Sequence, residues 1–423
     1  MKSWSAPAVP GLPHVAETLE LYDTPASSTV STVSRNGVAS LYVCGITPYD
    51  ATHLGHANTY VHFDLLVRYW LACGVDVQYV QNVTDIDDPL LERAQSTGAD
   101  WQDLAESQTE LFREDMTALS VIPPTHYLGA VEMIPAVVED VERLHHLEIA
   151  YPVAADDAAG DDYYFDIAAA EQRTDWRLGS VGNYDRQTME QLFPERGGDP
   201  QRAGKRDPLD PLLWRSARQG EPQWPGGRLG QGRPGWHIEC SVIARRHLPA
   251  PFTVQGGGSD LRFPHHEFSA AHATAADGVA LAERYMHTGM VGLDGEKMSK
   301  SRGNLVLVSQ LRSDGVDPQA IRTLILTHHW RQDWPYTGQK LRESEQRLLR
   351  WKAAWQQAED RQDDDAGADD LQYALISALA NDLNAPAALT SLDLWASGHL
   401  AAGTSRTRVH HVVQALLGID LSG

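Results

Sequence analysis

The sequence has few cysteines and no long uninterrupted apolar run, and each shortage excludes a class of protein. Cys44, Cys73 and Cys240 are its only cysteines. An odd, small number in a long chain argues against a disulfide framework and leaves metal ligation, catalysis or plain burial. No apolar run approaches the ~18 residues of a membrane-spanning helix. The first residues, MKSWSAPAVPGLPHV, lack the apolar stretch of a secretory signal. We therefore expect a cytoplasmic protein without membrane contact.

Positive charge is also scarce. The 423 residues include 35 Lys and Arg against 57 Asp and Glu, a formal net charge of −22. Binding to nucleic acid depends largely on Lys and Arg, so this balance counts against a generic nucleic-acid binder, although a local basic patch could override the average. The apolar share of 42% and charged share of 22% are ordinary for a globular protein. The length favours two or three domains.

A strand, a helix and a second strand follow one another in the first hundred residues. The segment ASLYVCG (39–45) has the pattern of a buried strand, 55–72 is long enough and apolar enough for a buried helix, and the Val-rich alternation of 75–83 predicts another strand. Such a unit implies a parallel sheet with right-handed crossovers. Further strand signals lie at 252–258 and 284–291. The fold class expected is α/β, with a Rossmann-like, doubly wound parallel sheet.

Changes in composition divide the chain. The first segment is rich in Pro, Ser and Thr, a polar Gly- and Asp-rich stretch runs through 154–206, and helical patterns follow Asp317-Pro318. We predict an inserted α+β segment and a C-terminal helical domain beside the sheet domain. The expected boundaries are an N-terminal arm (1–35), a Rossmann-type catalytic domain (36–125 and 205–312), an insertion (126–204) and the helical domain (313–423).

The segment His53-Leu54-Gly55-His56 lies where the first strand gives way to the helix. The free N–H groups and positive dipole end of a helix N-terminus attract phosphate. Gly55 removes a Cβ where a phosphate would approach, and the two imidazoles add donors beside a developing charge. Taken alone, the histidines are equally well explained as polar capping groups at a turn.

A second polar motif, Lys297-Met298-Ser299-Lys300-Ser301, follows VGLDGE. Two ammonium groups and two hydroxyls in a short loop suit a polyphosphate, although such a loop alone is usually just solvated surface. In this order, HxGH followed by KMSKS resembles the class I aminoacyl-tRNA synthetases, which make aminoacyl adenylates from ATP. The resemblance implies that His53, His56, Lys297 and Lys300 stabilise the phosphates, with Mg²⁺ accompanying ATP.

Three further candidates are Cys44, Cys240 and His265, in YVCG, GWHIECS and FPHHEF. Two thiolates and an imidazole make a three-ligand zinc set with one tetrahedral position open, whereas each cysteine alone is explained by burial. These segments and TDIDD resemble cysteinyl-tRNA synthetase, and the likeness runs from about residue 39 to about residue 395. In that family the zinc binds the thiolate of the substrate cysteine. We therefore expect one Zn²⁺ per chain.

The sequence departs from that family in two places. The position four residues after the histidine ligand, a glutamate ligand in cysteinyl-tRNA synthetases, is Ser269, and the chain ends at Gly423, which leaves little for an anticodon-binding domain. ITPYDATHLGH, SWSAP and ERGGDP (195–200) resemble a branch of the family whose members use ATP to join cysteine to the amine of glucosaminyl-inositol. ERGGDP is otherwise a plain Gly-Asp turn, and the sequence assigns it no role.

The resemblance also implies an adenylate pocket. Its Thr and Asn side chains could bond a polar ligand at strand ends, although each alone is an ordinary turn or strand-end residue. Asp260 is a candidate general base for the second step because it closes a loop of the site. The residues implied are Cys44, Gly45, Ile46, Thr47, Thr59, Asn82, Val83, Thr84, Trp236, Gly258, Ser259, Asp260 and Val291.

The expected partners are small molecules, namely L-cysteine, ATP and glucosaminyl-inositol, and we expect a monomer that binds no tRNA. Two other functions stay open. One is a true cysteinyl-tRNA synthetase, with the terminal hydroxyl of tRNA as acceptor. The other is a non-catalytic zinc-dependent cysteine-binding relative, against which the intact HLGH and KMSKS motifs count, because a binding module needs no phosphate machinery.

Overall fold

A computed structural model describes residues 1–15, 18–50, 52–293, 296–297, 305–359, 366–401 and 404–422, the side chains of 296–297 and 366–368 excepted. The strands are β1 (Leu19–Asp23), β2 (Ser28–Thr32), β3 (Val38–Val43), β4 (Asp76–Val83), β5 (His126–Gly129), β6 (Ala150–Val153), β7 (Asp162–Phe165), β8 (Leu212–Ser216), β9 (Trp224–Pro225), β10 (Gln231–Pro234), β11 (Phe252–Gly258), β12 (Ala282–Thr288), β13 (Val291–Leu293), β14 (Glu296–Lys297) and β15 (Trp334–Tyr336). The α-helices are α1 (Leu54–Ala72), α2 (Asp88–Thr97), α3 (Trp101–Ala118), α4 (Ala130–His146), α5 (Ile167–Arg173), α6 (Arg186–Glu195), α7 (Trp236–His247), α8 (His265–Asp277), α9 (Val308–Ser313), α10 (Pro318–Leu326), α11 (Gly338–Gln357), α12 (Ala366–Ala380), α13 (Ala385–Ala396) and α14 (Arg406–Leu417).

The central sheet has the strand order β12-β11-β3-β4-β5, and every pair in it is parallel. Alternate residues of β3 face two different cores. Leu41 and Val43 pack with α1 and the C-terminal helices, whereas Tyr42 packs with α7 and α8 on the other face. A parallel sheet covered on both faces needs apolar residues on both, and β3 supplies them. The prediction of a doubly wound α/β sheet is confirmed.

A second, antiparallel sheet has the order β6-β7-β8-β10-β9 and its own hydrophobic core. Its extent differs from the insertion expected at 126–204. β5 pairs with β4 in the central sheet, and the second sheet continues to Pro234. The expected boundaries differ because β5 has only four residues, too few to show an apolar alternation. Polar residues also dominate the sequence around the other short strands.

Part of the segment expected as an N-terminal arm forms strands and buries apolar side chains. β1 and β2 form an antiparallel hairpin, and β1 buries Leu19 and Leu21. Trp4 is also buried, and its indole N–H donates to the Val121 carbonyl at 2.8 Å. The Pro, Ser and Thr content of 1–35 concealed the alternation of apolar residues in β1. Within the described residues, no helix is both long and apolar enough to cross a bilayer.

A fully buried ion network joins the sheet domain to the C-terminal helices. The Asp64 carboxylate accepts from Arg68 Nε at 2.7 Å, from Arg322 and from the Ile122 amide at 2.8 Å. Both guanidinium groups also donate to carbonyls of α14, Arg322 to Leu417 at 2.6 Å and Arg68 to Gln414 at 2.7 Å. This network fixes α1 against α10 and α14.

Candidate active site

Several of the expected site residues meet at one edge of the central sheet. Cys44 and Gly45 follow β3, Thr84 follows β4, and Gly258 ends β11. Since these strands are parallel, all of their carboxyl ends lie on the same side. In open α/β sheets, that side is where ligands bind. The fold therefore brings residues that are far apart in sequence to one edge of the sheet.

The strongest cluster is formed by Cys44, Cys240 and His265. All three are buried, and their ligand atoms lie within 4.8 Å of one another. They come from the end of β3, from α7 and from the first residue of α8, and these two helices pack together. The two sulfur atoms are 3.9 Å apart. Two thiolates on one tetrahedral zinc, each bonded at about 2.3 Å, would be about 3.8 Å apart, so the donor set fits zinc.

Ser269 stands at the position where the resemblance to cysteinyl-tRNA synthetases places a fourth ligand. Its hydroxyl is hydrogen-bonded to the backbone instead. Its hydroxyl donates to the carbonyl of His265 at 2.7 Å and lies 3.2 Å from that of His237. The hydroxyl is therefore satisfied by backbone one helical turn away. This arrangement agrees with a site of three protein ligands in which a fourth position is left to another molecule.

The two thiols have opposite pKa shifts. Burial raises the pKa of Cys44 well above its usual range, and the neighbouring Cys240 sulfur adds to the rise. Burial also opposes ionisation of Cys240, but the hydrogen bond from Cys44 and the charge of His265 bring its pKa well below the usual range. A bound metal cation would favour the ionised form of both sulfur atoms.

Sequence reasoning missed a set of polar groups around these ligands. Gln255 Nε2 lies 3.5 Å from the Cys44 sulfur and His266 Nε2 lies 3.2 Å from it, while the His237 and His265 rings approach at 3.2 Å between Nδ1 atoms. Groups in contact with metal ligands orient them and tune the metal. The adjacent histidines of WHIEC and FPHHE offered a signal in the sequence, whereas Gln255, inside a buried strand, offered none.

The HLGH motif lies at the start of α1, as its position between strand and helix predicted. His53 is the N-cap residue, and its Nδ1 accepts from the Gly55 amide at 3.1 Å. The His53 and His56 rings stack with their centroids 3.8 Å apart. A Cβ on Gly55 would come within 2.8 Å of the His53 ring, so glycine is needed here to let the imidazole cap the helix. Both imidazoles therefore sit at the positive end of the helix dipole.

The KMSKS motif falls mostly outside the described residues. Met298, Ser299, Lys300 and Ser301 lie outside them, and only the backbone of Lys297 is described. The flanks, however, are anchored. Lys297 pairs with Gly292 in the small sheet β14-β13-β15. On the other side, the Leu54 amide donates to the Val306 carbonyl at 2.9 Å and the Val308 amide to the Thr52 carbonyl at 2.9 Å. The chain that leaves KMSKS is therefore hydrogen-bonded to the HLGH segment.

Most of the implied adenylate residues fall into two groups, the first of which is buried between the ends of β3 and β4. Asn82 is fully buried, and its amide oxygen accepts from the Gly45 amide at 2.8 Å and the Tyr42 hydroxyl at 3.0 Å. A Cβ on Gly45 would lie 1.5 Å from the Asn82 carbonyl oxygen, so only glycine fits. The Thr84 amide donates to the Ile46 carbonyl at 2.9 Å. These residues, together with Val83, hold the ends of β3 and β4 together.

The second group lies nearer to open space. Thr59 on α1 approaches Thr288 at the end of β12, with 2.9 Å between hydroxyls, and Thr47 follows Ile46 at the strand edge. Gly258, Ser259 and Asp260 turn the chain from β11 toward α8.

Two of the implied residues lie elsewhere at the site. Trp236 stacks on the His265 ring with centroids 4.3 Å apart, so it contacts the metal set. Val291 is buried at the start of β13 and pairs with Trp334. It therefore belongs to the small sheet that leads toward Lys297.

Comparison with known proteins defines the class first. Residues 30–346 match the family model described as the tRNA synthetases class I (C) catalytic domain. The chain therefore belongs to this family. Solved structures agree on the fold. Mycobacterium tuberculosis methionyl-tRNA synthetase in complex with methionyl-adenylate has a TM-score of 0.62 at 16% identity, covering 90% of this chain and 92% of its own.

More similar proteins are found among curated relatives. A protein of Micrococcus luteus named L-cysteine:1D-myo-inositol 2-amino-2-deoxy-alpha-D-glucopyranoside ligase is 59% identical, with all of both chains covered. Proteins of the same name from Paenarthrobacter aurescens and Streptomyces coelicolor are 55% and 53% identical, again over the whole of both chains. The resemblance noted in the short motifs thus extends over the whole sequence.

Proposed function

We propose that the chain is an ATP-dependent ligase that forms a C–N bond between L-cysteine and the amine of 1D-myo-inositol 2-amino-2-deoxy-α-D-glucopyranoside. The reaction passes through cysteinyl-adenylate, releases pyrophosphate and AMP, and belongs to mycothiol biosynthesis. The observation that carries the proposal is the buried set of Cys44, Cys240 and His265 at the ligand-binding edge of the sheet. The full-length likeness to relatives named as this ligase supports the choice of acceptor.

The metal set supports selection of cysteine. Cys44, Cys240 and His265 would hold a zinc ion, which when bound supplies a Lewis acid that prefers a soft thiolate to a hard hydroxyl. A serine, which differs from cysteine only in that atom, would forgo the interaction, so the site discriminates strongly. Trp236, stacked on His265, shields one side of this cluster.

The first chemical step joins the cysteine carboxylate to the α-phosphorus of ATP, and the bond to pyrophosphate breaks. Catalysis of such a transfer rests on positioning and on stabilising charge. His53 and His56 stand at the N-terminus of α1, where donors and the helix dipole favour phosphate. Lys297 and Lys300 are proposed to contribute ammonium groups, because the chain before their motif is paired in the small sheet and the chain after it is hydrogen-bonded to the segment of these histidines. Mg²⁺ would accompany ATP.

In the second step the neutral sugar amine attacks the carbonyl carbon of the mixed anhydride, an amide bond forms and AMP leaves. One proton must leave the nitrogen. Asp260, in the loop after β11, is proposed to accept it as general base. Its place at the strand edge beside Gly258 supports the role, since a Cβ on Gly258 would lie 2.6 Å from the Asp260 carboxylate. The adenylate is proposed to lie along Gly45, Ile46, Thr47, Thr59 and Gly258.

The function is tested by AMP release in the presence of ATP, Mg²⁺ and cysteine. We expect release with glucosaminyl-inositol and none with tRNA alone. Release with tRNA only would identify a cysteinyl-tRNA synthetase. Failure with both acceptors, together with the absence of cysteine-dependent pyrophosphate exchange, would indicate a binding protein. Serine in place of cysteine and glucose in place of the amino sugar are the controls, since serine lacks the sulfur that would bind the metal and glucose lacks the amine that attacks the adenylate.

We propose further that the enzyme works as a monomer in the cytoplasm, where its substrates ATP and cysteine are available. The described part of the chain contains the whole cluster of metal donors within one copy, which supports a site that needs no second subunit. Light scattering at working concentration checks this, with a mass near 46.6 kDa expected.

A further inference from the structure

The loop between β11 and α8 carries two residues of the proposed mechanism. It begins at Ser259, includes the proposed base Asp260, and ends at His265, the metal ligand that opens α8. One side chain from a distant part of the sequence bonds to this loop at two points. The Arg196 guanidinium donates to the carbonyl of Asp260 at 2.6 Å and also to the carbonyl of Phe263.

Arg196 belongs to ERGGDP, the motif for which the sequence offered no role. Helix α6 ends at Glu195, and Arg196 is its C-cap residue. Gly197 has a φ of +86°, a conformation that favours glycine. A Cβ on Gly198 would lie 2.5 Å from the Phe193 ring, so this glycine lets the chain turn closely over the end of the helix.

The end of the motif is tied down as well. The Asp199 carboxylate accepts from the Tyr164 hydroxyl at 2.5 Å and from Lys205 Nζ at 2.8 Å. Phe193, one turn before Arg196, is buried beside the rings of Phe263 and Phe268. The motif is thus fixed at both ends, and Arg196 projects from it onto the loop.

A neighbouring segment holds the same loop independently. The Glu267 carboxylate, in the first turn of α8, accepts from the Trp176 indole at 3.1 Å and from the amides of Gly179, Val181 and Gly182 at 3.0, 3.1 and 2.6 Å. Arg262, inside the loop, donates to the Gly182 carbonyl at 3.1 Å and 2.5 Å and lies 4.5 Å from the Tyr184 ring. Segments outside the central sheet therefore position the loop.

We propose that Arg196 is a positioning residue, which sets the place of Asp260 and of His265 through the two carbonyls that it bonds. The inference rests on the proposed function, since it gives ERGGDP a part in the same site. A planar guanidinium can bond two carbonyls in fixed directions, whereas an ammonium acts as a compact charge. Loss of this contact should let the loop shift, and misplacement by about 1 Å can cost about 100-fold in rate.

The test compares Arg196→Ala and Arg196→Lys with Arg186→Ala. Arg186 is the first residue of α6, the helix that ends just before Arg196, and it pairs with the exposed Glu190 and with Asp207. For Arg196→Ala we expect kcat of amide formation to fall about 10-fold to 100-fold with an unchanged KM for ATP. Zinc should also pass to a chromophoric chelator about 10-fold faster, because His265 would be held less firmly and loss of groups that orient metal ligands weakens metal binding. Arg196→Lys should be intermediate, and Arg186→Ala should behave as wild type.

Hydrogen exchange of the peptide covering 259–268 supplies a readout that does not depend on the reaction. We expect faster exchange there in Arg196→Ala and not in Arg186→Ala. Wild-type exchange, kcat and zinc transfer in a folded Arg196→Ala protein would overturn the inference. Should wild type make no AMP with any acceptor, the proposed function fails, while exchange and zinc transfer still decide the role of Arg196.

Discussion

Replacement of Cys240 by serine tests the metal centre directly. The sulfur of Cys240 lies 3.9 Å from that of Cys44, the separation of two thiolates on one zinc. A serine hydroxyl is a hard ligand and stays protonated at neutral pH, so Cys240→Ser removes one of three protein ligands. Loss of a group that merely orients a ligand costs about 10-fold to 100-fold in affinity. Loss of the ligand itself should therefore lower the affinity for zinc by at least about 100-fold, which corresponds to about 2.7 kcal/mol of binding free energy.

The measurement is zinc content of the purified protein together with competition against a chromophoric chelator. Cys73→Ser is the matched control, because Cys73 caps the end of α1 and is not among the donors of the cluster. We expect the control to keep one zinc per chain and Cys240→Ser to lose it, along with cysteine-dependent pyrophosphate exchange. Equal zinc affinity in both variants, or a wild-type protein that binds none, would refute the assignment.

Two other substitutions probe the catalytic and the structural parts. His56→Ala should lower pyrophosphate exchange by about 10²-fold to 10³-fold and leave zinc content unchanged, as expected for a group that acts on developing charge. Asp64→Asn should lower the free energy of unfolding by about 3–5 kcal/mol, because it leaves the buried guanidinium groups of Arg68 and Arg322 without their carboxylate. Burial alone would raise the pKa of Asp64, but Arg322 and Arg68 lower it below the ordinary value. Its contribution is therefore present at neutral pH and lost as the pH falls below about 4, where denaturant unfolding should show wild type and Asp64→Asn converging.

The parts of the fold that the sequence predicted are those with an uninterrupted local pattern. β3 and α1 are mostly apolar because both are buried, and β4 carries a Val-rich apolar alternation. The boundaries in the insertion were harder to predict, since β5 has four residues and its partner β4 begins 50 residues earlier. In such short strands, pairing with a distant strand decides the structure more than local preference does.

The candidate site likewise contains residues that the sequence could predict and residues that it could not. Cys44, Cys240 and His265 could be selected from the sequence because their motifs resemble those of cysteinyl-tRNA synthetase and because sulfur and imidazole suit zinc, and the structure places the three together. The roles of Gln255 and Arg196 could not be predicted from the sequence. The first lies in an apolar strand and the second in a turn, and their contacts with Cys44 and with the loop before His265 join residues 211 and 64 or more positions apart. Only the tertiary structure shows those partners.

These long-range contacts hold the three candidate metal ligands in place. The metal donors come from the end of β3 and from two helices that pack against each other, and each is held by contacts with the rest of the protein. Trp236 stacks on His265, Ser269 bonds the backbone of that residue, and Gln255 approaches the Cys44 sulfur. Because Ser269 is turned toward backbone carbonyls, this cluster offers a metal three protein ligands, where four were expected in cysteinyl-tRNA synthetases. A zinc ion held by three protein ligands would depend on groups that orient those ligands, and the contacts of Trp236, Ser269 and Gln255 meet that requirement.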